Sequence, residues 1–291
     1  MYSLSDIPEK GQKMKFVKSV IAIILIIIGI IILLYPKISN YIEQKNQIEF
    51  IKEYKENISK MESTTKDKEY LKAEKYNEYL NGLENKNSNY EEILNISQNG
   101  IMAYIEIPKI SVYLPIYHGT KEDILKKGIG HLENSSLPIG GVSTHTVLTG
   151  HTGLLKAELF TRIRELEIDD YFYIYTLGQK LTYKVYQIKV VLPTEVDDVK
   201  IQEGKDLVSL VTCTPYGVNT HRLLVQAIRT ENIEENNLDS NKNERLENDN
   251  QRQENYYIIG LKYGLTMLII IIFCCILFNI IVKYIQKVRN R

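Results

Sequence analysis

The stretch that decides the fold is Leu207–Val225, LVSLVTCTPYGVNTHRLLV. Two apolar, β-branched runs flank a turn-rich loop. Val208, Leu210 and Thr212 alternate with Leu207, Ser209 and Val211, the period of a strand. Pro215, Gly217 and Asn219 punctuate the loop. From His221 through Val225 to Ile228 the strand pattern resumes. Cys213 stands where the first strand runs out, and Arg222 where the second begins. A thiol at a strand end, facing a guanidinium across a short loop, suits a nucleophile in a positive field, which favours the thiolate. The same thiol also suits a small core residue, because free cysteine is among the most buried types. On this stretch alone both readings stand.

Outward from it, the texture between Gly100 and Thr230 stays strand-like. Met102–Ile107 and Val112–Ile116 read as short strands split by Pro108, Lys109 and Ile110. Further strands are expected at Thr144–Thr149, Tyr171–Tyr175, Leu181–Leu192, Leu207–Thr212 and His221–Arg229. Leu159, Ile163 and Leu166 have helical spacing, so Ala157–Leu166 reads as a helix. Many short strands with turn signals and few helices argue for a mainly β fold, a closed or nearly closed barrel and not a βαβ sheet. About 130 residues suffice for one independent core.

The flanks differ. Ser19–Tyr35 carries no charge, and with Phe16 and Val17 it reaches the ~20 residues that cross a hydrocarbon core. No small-x-small cleavage site follows, which favours an uncleaved anchor over a signal peptide. Lys10, Lys13, Lys15 and Lys18 precede it, placing the N-terminus in the cytoplasm. Residues 37–99 are rich in Lys, Glu, Asn and Tyr. Ile48, Ile51, Tyr54, Ile58 and Met61 form one amphipathic stripe, and Tyr70, Ala73, Tyr76, Tyr79, Leu80 and Leu83 another. Packing on the following domain is the commonest use of such stripes; a stalk or a partner surface are the others. Asn85–Asn99 reads as loop. Residues 231–256 are almost devoid of apolar side chains, a solvated linker. A second charge-free apolar run follows from Tyr263 to Val282, with Lys262 before it and Lys283, Lys287, Arg289 and Arg291 beyond. Tyr256, Tyr257 and Tyr263 suit its outer membrane interface.

The expected organisation is a cytoplasmic tail 1–15, a transmembrane helix 16–36, an extracellular helical segment 37–99, the barrel 100–230, a polar linker 231–256, a transmembrane helix 257–282 and a basic cytoplasmic tail 283–291. Two spans put the barrel outside the cell, tethered at both ends. Charge is balanced, 36 basic against 36 acidic side chains, so nothing indicates nucleic acid as a partner. Three cysteines, with Cys274 and Cys275 adjacent in the second apolar run, make no disulfide framework. No metal-ligand spacing and no phosphate-binding loop stands out, so no metal or cofactor is expected.

A thiol nucleophile needs a proton-exchanging partner, and the chain offers five histidines. His151 follows an apolar strand and is bracketed by Gly150 and Gly153, which places an imidazole at a strand mouth with backbone open to a substrate. His145, within that strand, and His118, in a YHGT turn, read as hydrogen-bonded structural residues. His131 in its Gly-flanked loop is undecided. His221 adjoins Arg222, and strand neighbours point to opposite faces, so it should not share a site with Arg222. Cys213, His151 and Arg222 together would make an acyl-transfer site. The thiolate attacks a carbonyl, the imidazole moves the protons, and the guanidinium holds charge or substrate backbone.

At these residues the sequence resembles a known family. TCTPYGVNTHRLLV, with Arg nine places after Cys, is similar to the active-site signature of sortases, and LTGHTGL to their histidine segment. GIMAYIEIPKISVYLPIYHGT, GIGHLENSSLPIGG and THTVLTGHTG resemble the class C, pilus-assembling branch. The likeness covers about residues 70–230. It implies a sortase β-barrel with Cys213 as nucleophile, His151 as general acid/base and Arg222 stabilising oxyanion and substrate. It also implies a membrane-bound cysteine transpeptidase on a Gram-positive cell. Such an enzyme cleaves an LPxTG-like sorting signal through a thioester and passes the acyl group to an amine. In class C that amine is a pilin lysine; transfer to a peptidoglycan precursor, anchoring proteins to the wall cross-bridge, is the alternative. A non-catalytic membrane-tethered binding protein and a simple cysteine peptidase are the competing readings. Two departures stand out. Asn85–Asn99 has neither Asp nor Pro, whereas class C lids usually carry an Asp-Pro-aromatic motif, so no lid residue is assigned. Thr152 follows the histidine where the family often has Arg.

Overall fold

The structure, a computed structural model, describes residues 10–83 and 89–230 and, beyond them, only Ile258, Lys262, Leu265, Thr266, Ile269, Phe273, Ile280 and Lys283. Most of the expected 1–15 tail, all of the 231–256 linker and most of the second span and basic tail lie outside the described residues. The chain divides into two compact units, Met1–Tyr41 with Asp239–Arg291, and Ile42–Leu238.

Helix α1 runs from Lys10 to Lys60, with Pro36 inside it. In the first unit most of its apolar side chains are exposed, from Ile28, 46%, to Leu33, 76%, and Ile23, Ile27, Ile30 and Leu34 are half-exposed. A helix apolar on every face has no polar side to turn to water, which suits a lipid surround. Among the described residues it is the one helix long and apolar enough to cross a membrane, and so a candidate anchor.

In the second unit the later part of α1 turns amphipathic. Ile51, Tyr54 and Ile58 are buried, as the stripe predicts. The Tyr54 hydroxyl donates to the Met102 carbonyl (3.1 Å) and accepts from Leu177 N–H (3.1 Å). Burial pushes this phenol up to about 12. Helix α2, Ser63–Leu80, buries Ala73, Tyr76 and Asn77. The Asn77 amide pairs with both backbone groups of Leu137, accepting from its N–H at 2.7 Å and donating to its carbonyl at 3.3 Å. Both sequence stripes therefore contribute core contacts, although Leu83, at the end of the second, is 75% exposed.

Eight strands close the barrel. They are β1 (Ile101–Ile107), β2 (Val112–His118), β3 (Ile129–His131), β4 (Thr144–Thr149), β5 (Tyr171–Thr176), β6 (Gln179–Val191), β7 (Asp206–Thr214) and β8 (His221–Arg229). Around the barrel the order is β1-β2-β3-β4-β7-β8-β6-β5, with β5 closing on β1. Two neighbouring pairs are parallel, β2 with β3 and β4 with β7. The four-residue helix α3, Glu122–Leu125, bridges β2 and β3.

Two sequence expectations fail. Ile129–His131 pairs with both β2 and β4, although it reads as loop; three residues are too short to show a period. Ala157–Leu166 is not a helix. It is a run of turns with one short 3-10 turn at Ile163–Glu165. Leu159, Ile163 and Leu166 are buried, but Leu159 has φ +40°, which no right-handed helix permits.

Candidate active site

The site is built where β4 and β7 end side by side. Their parallel register pairs Thr144 with Asp206 and, at the last rung, Thr149 with Val211. The ladder continues one residue further: Gly150 N–H donates to the Val211 carbonyl (3.1 Å), and Thr212 Oγ1 donates to the Gly150 carbonyl (2.7 Å). Carried one more step, that register would bring His151, which has left the strand, opposite Cys213. Across the other edge of β7, Cys213 is the antiparallel partner of Arg222. Directly opposed residues of an antiparallel pair put their side chains on the same face. Thr214 pairs with His221, so His221 points to the other face, as alternation requires.

Cys213, His151 and Arg222 are all half-buried. One Arg222 nitrogen, Nη1, donates to the carbonyls of Asn219 (3.2 Å) and His221 (3.0 Å), folding the guanidinium against its own loop. The Thr214–Pro215 bond in that loop is cis.

The glycines beside His151 have a more definite role than open backbone. A Cβ on Gly150 would stand 2.8 Å from Ile129 Cδ1 and 2.8 Å from Phe160 Cγ. Gly153 has φ +74°, and a Cβ there would meet the Tyr216 ring at 2.9 Å. Both positions are closed by packing, so the His151 loop is clamped between the core and the β7–β8 loop. The His151 carbonyl accepts from Phe160 N–H (3.1 Å), and Gly153 N–H donates to Thr161 Oγ1 (3.0 Å).

Three of the other histidines have committed rings. His145 donates from Nδ1 to the Lys200 carbonyl (2.7 Å); its Nε2 faces Ser209 Oγ (2.8 Å), which in turn accepts from Gln226 Nε2 (3.2 Å). His131 donates from Nε2 to the Ser136 carbonyl (2.9 Å), and its Nδ1 faces the Tyr90 hydroxyl (2.9 Å). Desolvation holds both imidazoles below the ordinary range, His131 at about 4. His118 spans the carbonyls of Gly100 (2.9 Å) and Ile93 (2.7 Å). In His151, by contrast, Nε2 is enclosed yet has no hydrogen-bond partner. Glu122 Oε2 lies 3.3 Å from it, within ion-pair reach but not aligned for a hydrogen bond. Glu122 is the contact that sequence reasoning missed. It sits 29 positions before His151, and only the parallel β2–β3 crossover brings α3 to the end of β4.

Among the described residues no cluster of histidine, cysteine and carboxylate side chains is suited to a metal ion. A closed eight-stranded barrel with a thiol and a guanidinium paired across β7 and β8, and an imidazole just past the end of β4, is an arrangement suited to cysteine-dependent acyl transfer. A sortase domain model matches residues 105–230. The structure is similar to sortase C of Clostridium perfringens in a structure with the C-terminal cell wall sorting motif: 47% identity, 64% of this chain, 100% of that one, TM-score 0.59. It is also similar to sortase C-1 of Actinomyces oris (46%, 58% of this chain, 99% of that one, TM-score 0.54) and sortase C1 of Streptococcus agalactiae (42%, 63%, 99%, TM-score 0.60). Sortase D of Bacillus subtilis is 34% identical over 112 residues, 38% of this chain, and the match spans about half, 54%, of that protein. The chain belongs to the sortase family, and its structural neighbours are class C sortases.

Proposed function

We propose that this protein is a membrane-anchored cysteine transpeptidase that cleaves an LPxTG-like sorting signal and joins its acyl part to an amine, a pilin lysine. The observation that carries this reading is the cross-strand pairing of Cys213 with Arg222 beside the β4 end that bears His151. In the first half-reaction the Cys213 sulfur, its proton taken by His151, bonds to the Thr carbonyl carbon of the signal. Arg222 faces the charge that develops on the carbonyl oxygen. The C–N bond breaks as His151 returns the proton to the leaving amine, and a thioester remains. In the second half an incoming amine attacks the thioester and gives its proton to His151. The C–S bond breaks, and the proton ends on sulfur.

The lysines before the α1 span and the apolar run within residues 257–282 support a reading in which two spans tether the barrel outside the cell. Attachment of surface proteins to a wall cross-bridge is the second reading, favoured by the absence of an Asp-Pro-aromatic lid motif in Asn85–Asn99. The test incubates the full chain in detergent with an LPxTG-type peptide and a primary amine. A Cys213 acyl adduct and a ligated product are expected. Hydrolysis alone with amine in excess would reduce the protein to a peptidase, and no adduct would leave the barrel a binding module.

A further inference from the structure

Glu122 opens α3, exposed for 63% of its side chain. Its two carboxylate oxygens face different partners. Oε1 lies 3.3 Å from Lys126 Nζ, one turn on, and Oε2 lies 3.3 Å from His151 Nε2. The hydrogen bond from Lys126 and then the charge of His151 hold the carboxyl below its ordinary range. On the other side, His151 Nε2 is shut away from solvent with nothing aligned to it. An enclosed polar atom left unpaired costs about 1–3 kcal/mol. The only carboxylate at ion-pair distance from that nitrogen among the described residues is that of Glu122, and a small side-chain rotation would align it. The His151 backbone cannot follow, because Gly150 is packed against Ile129 and Phe160 and the His151 carbonyl is bonded to Phe160.

We propose that Glu122 is a positioning residue for His151: its carboxylate accepts the Nε2–H, so that the ring presents Nδ1, and only Nδ1, to the Cys213 sulfur. The proposal rests on the reading of Cys213 and His151 as a proton-exchanging pair. It divides the imidazole's work: Nδ1 takes and returns the proton of each half-reaction, while the Nε2 proton stays on the ring throughout. A neutral ring bearing its proton on Nδ1 could not act as base toward the thiol, and a carboxylate on Nε2 disfavours that tautomer. Lys126 keeps the carboxylate ionised without reaching the imidazole itself.

The test uses the full chain in detergent, with ring-15N-labelled histidine and E122Q as the variant, which keeps size and removes charge. The His151 resonances are assigned by their loss in H151Q. In the unsubstituted protein His151 should show a single tautomer with hydrogen on Nε2, and in E122Q a mixture of the two. Acyl transfer from an LPxTG-type peptide should show kcat lowered about tenfold, the lower end of what removing a histidine's orienting partner costs in other sites, with KM unchanged. An unchanged His151 ring spectrum in E122Q overturns the proposal whatever the rate does. If the unsubstituted protein forms no Cys213 adduct, the transpeptidase reading falls by itself. The ring spectra still decide whether Glu122 orients His151.

Discussion

His145 and His151 stand six residues apart on one run of chain, and they are used in opposite ways. His145 lies inside β4, fully buried, with both ring nitrogens engaged at 2.7 and 2.8 Å. His151 lies just past the mouth of the same strand, partly exposed, with one nitrogen enclosed but unpaired. A ring whose nitrogens are both spoken for joins elements: His145 ties β4 to β7 and to the crossover carrying Lys200. A ring not bound at both nitrogens can use one to hold its orientation and the other to take up a proton and give it back. Burial sharpens the contrast, because desolvation disfavours the charged form of His145.

The largest effect expected is from Cys213→Ala, which should abolish the acyl adduct while leaving the melting temperature nearly unchanged; mass spectrometry after incubation with peptide reads it. His151→Gln should lower kcat about 10²–10⁴-fold, and Arg222→Gln about 10²–10³-fold, both in single-turnover assays. A fall of similar size in His145→Gln, measured on folded protein, would break the contrast.

A smaller effect on a different axis is expected from His145→Ala. The Lys200 carbonyl loses its His145 partner and Ser209 keeps only Gln226, so stability should drop by about 1–3 kcal/mol in a urea titration, while the molecules that remain folded still load Cys213.

The gentlest test is pH. His131 and His145 bind a proton less readily in the folded than in the unfolded chain. Their contribution is complete above the ordinary value near 6.5 and is lost on acidification, for His131 over the window down to about 4. Within that window each such histidine steepens the loss by up to about 1.4 kcal/mol per pH unit. Urea midpoints between pH 7.5 and 5 should fall, and less so in His131→Gln.

Much of this is legible in the sequence alone. The alternation in Leu207–Thr212 and His221–Ile228 appears as β7 and β8, and the turn between them brings Cys213 opposite Arg222. The apolar stripes of 48–61 and 70–80 appear as core faces of α1 and α2, while Leu83, past the end of α2, is exposed. What escapes is structure without a period. β3 is three residues long and is made a strand by its two neighbours, not by its own pattern. The stretch 157–166 buries residues at helical spacing through turns, and a positive φ at Leu159 is invisible to a spacing rule. Gly150 suggests openness in the sequence, and its role is instead a lack of room beside Ile129 and Phe160. Glu122 carries no signal at all, since a lone acidic residue opening a short helix has many uses.

Among the described residues every strand of the barrel has a partner on both sides. Many peptide-binding proteins hold an extended ligand by letting it join a sheet at a free edge, where main-chain hydrogen bonds provide affinity regardless of sequence. A barrel whose strands are already flanked offers little of such an edge. Side chains and loops at the β7 end are then the natural grip for a peptide, and a grip of that kind reads the peptide's sequence.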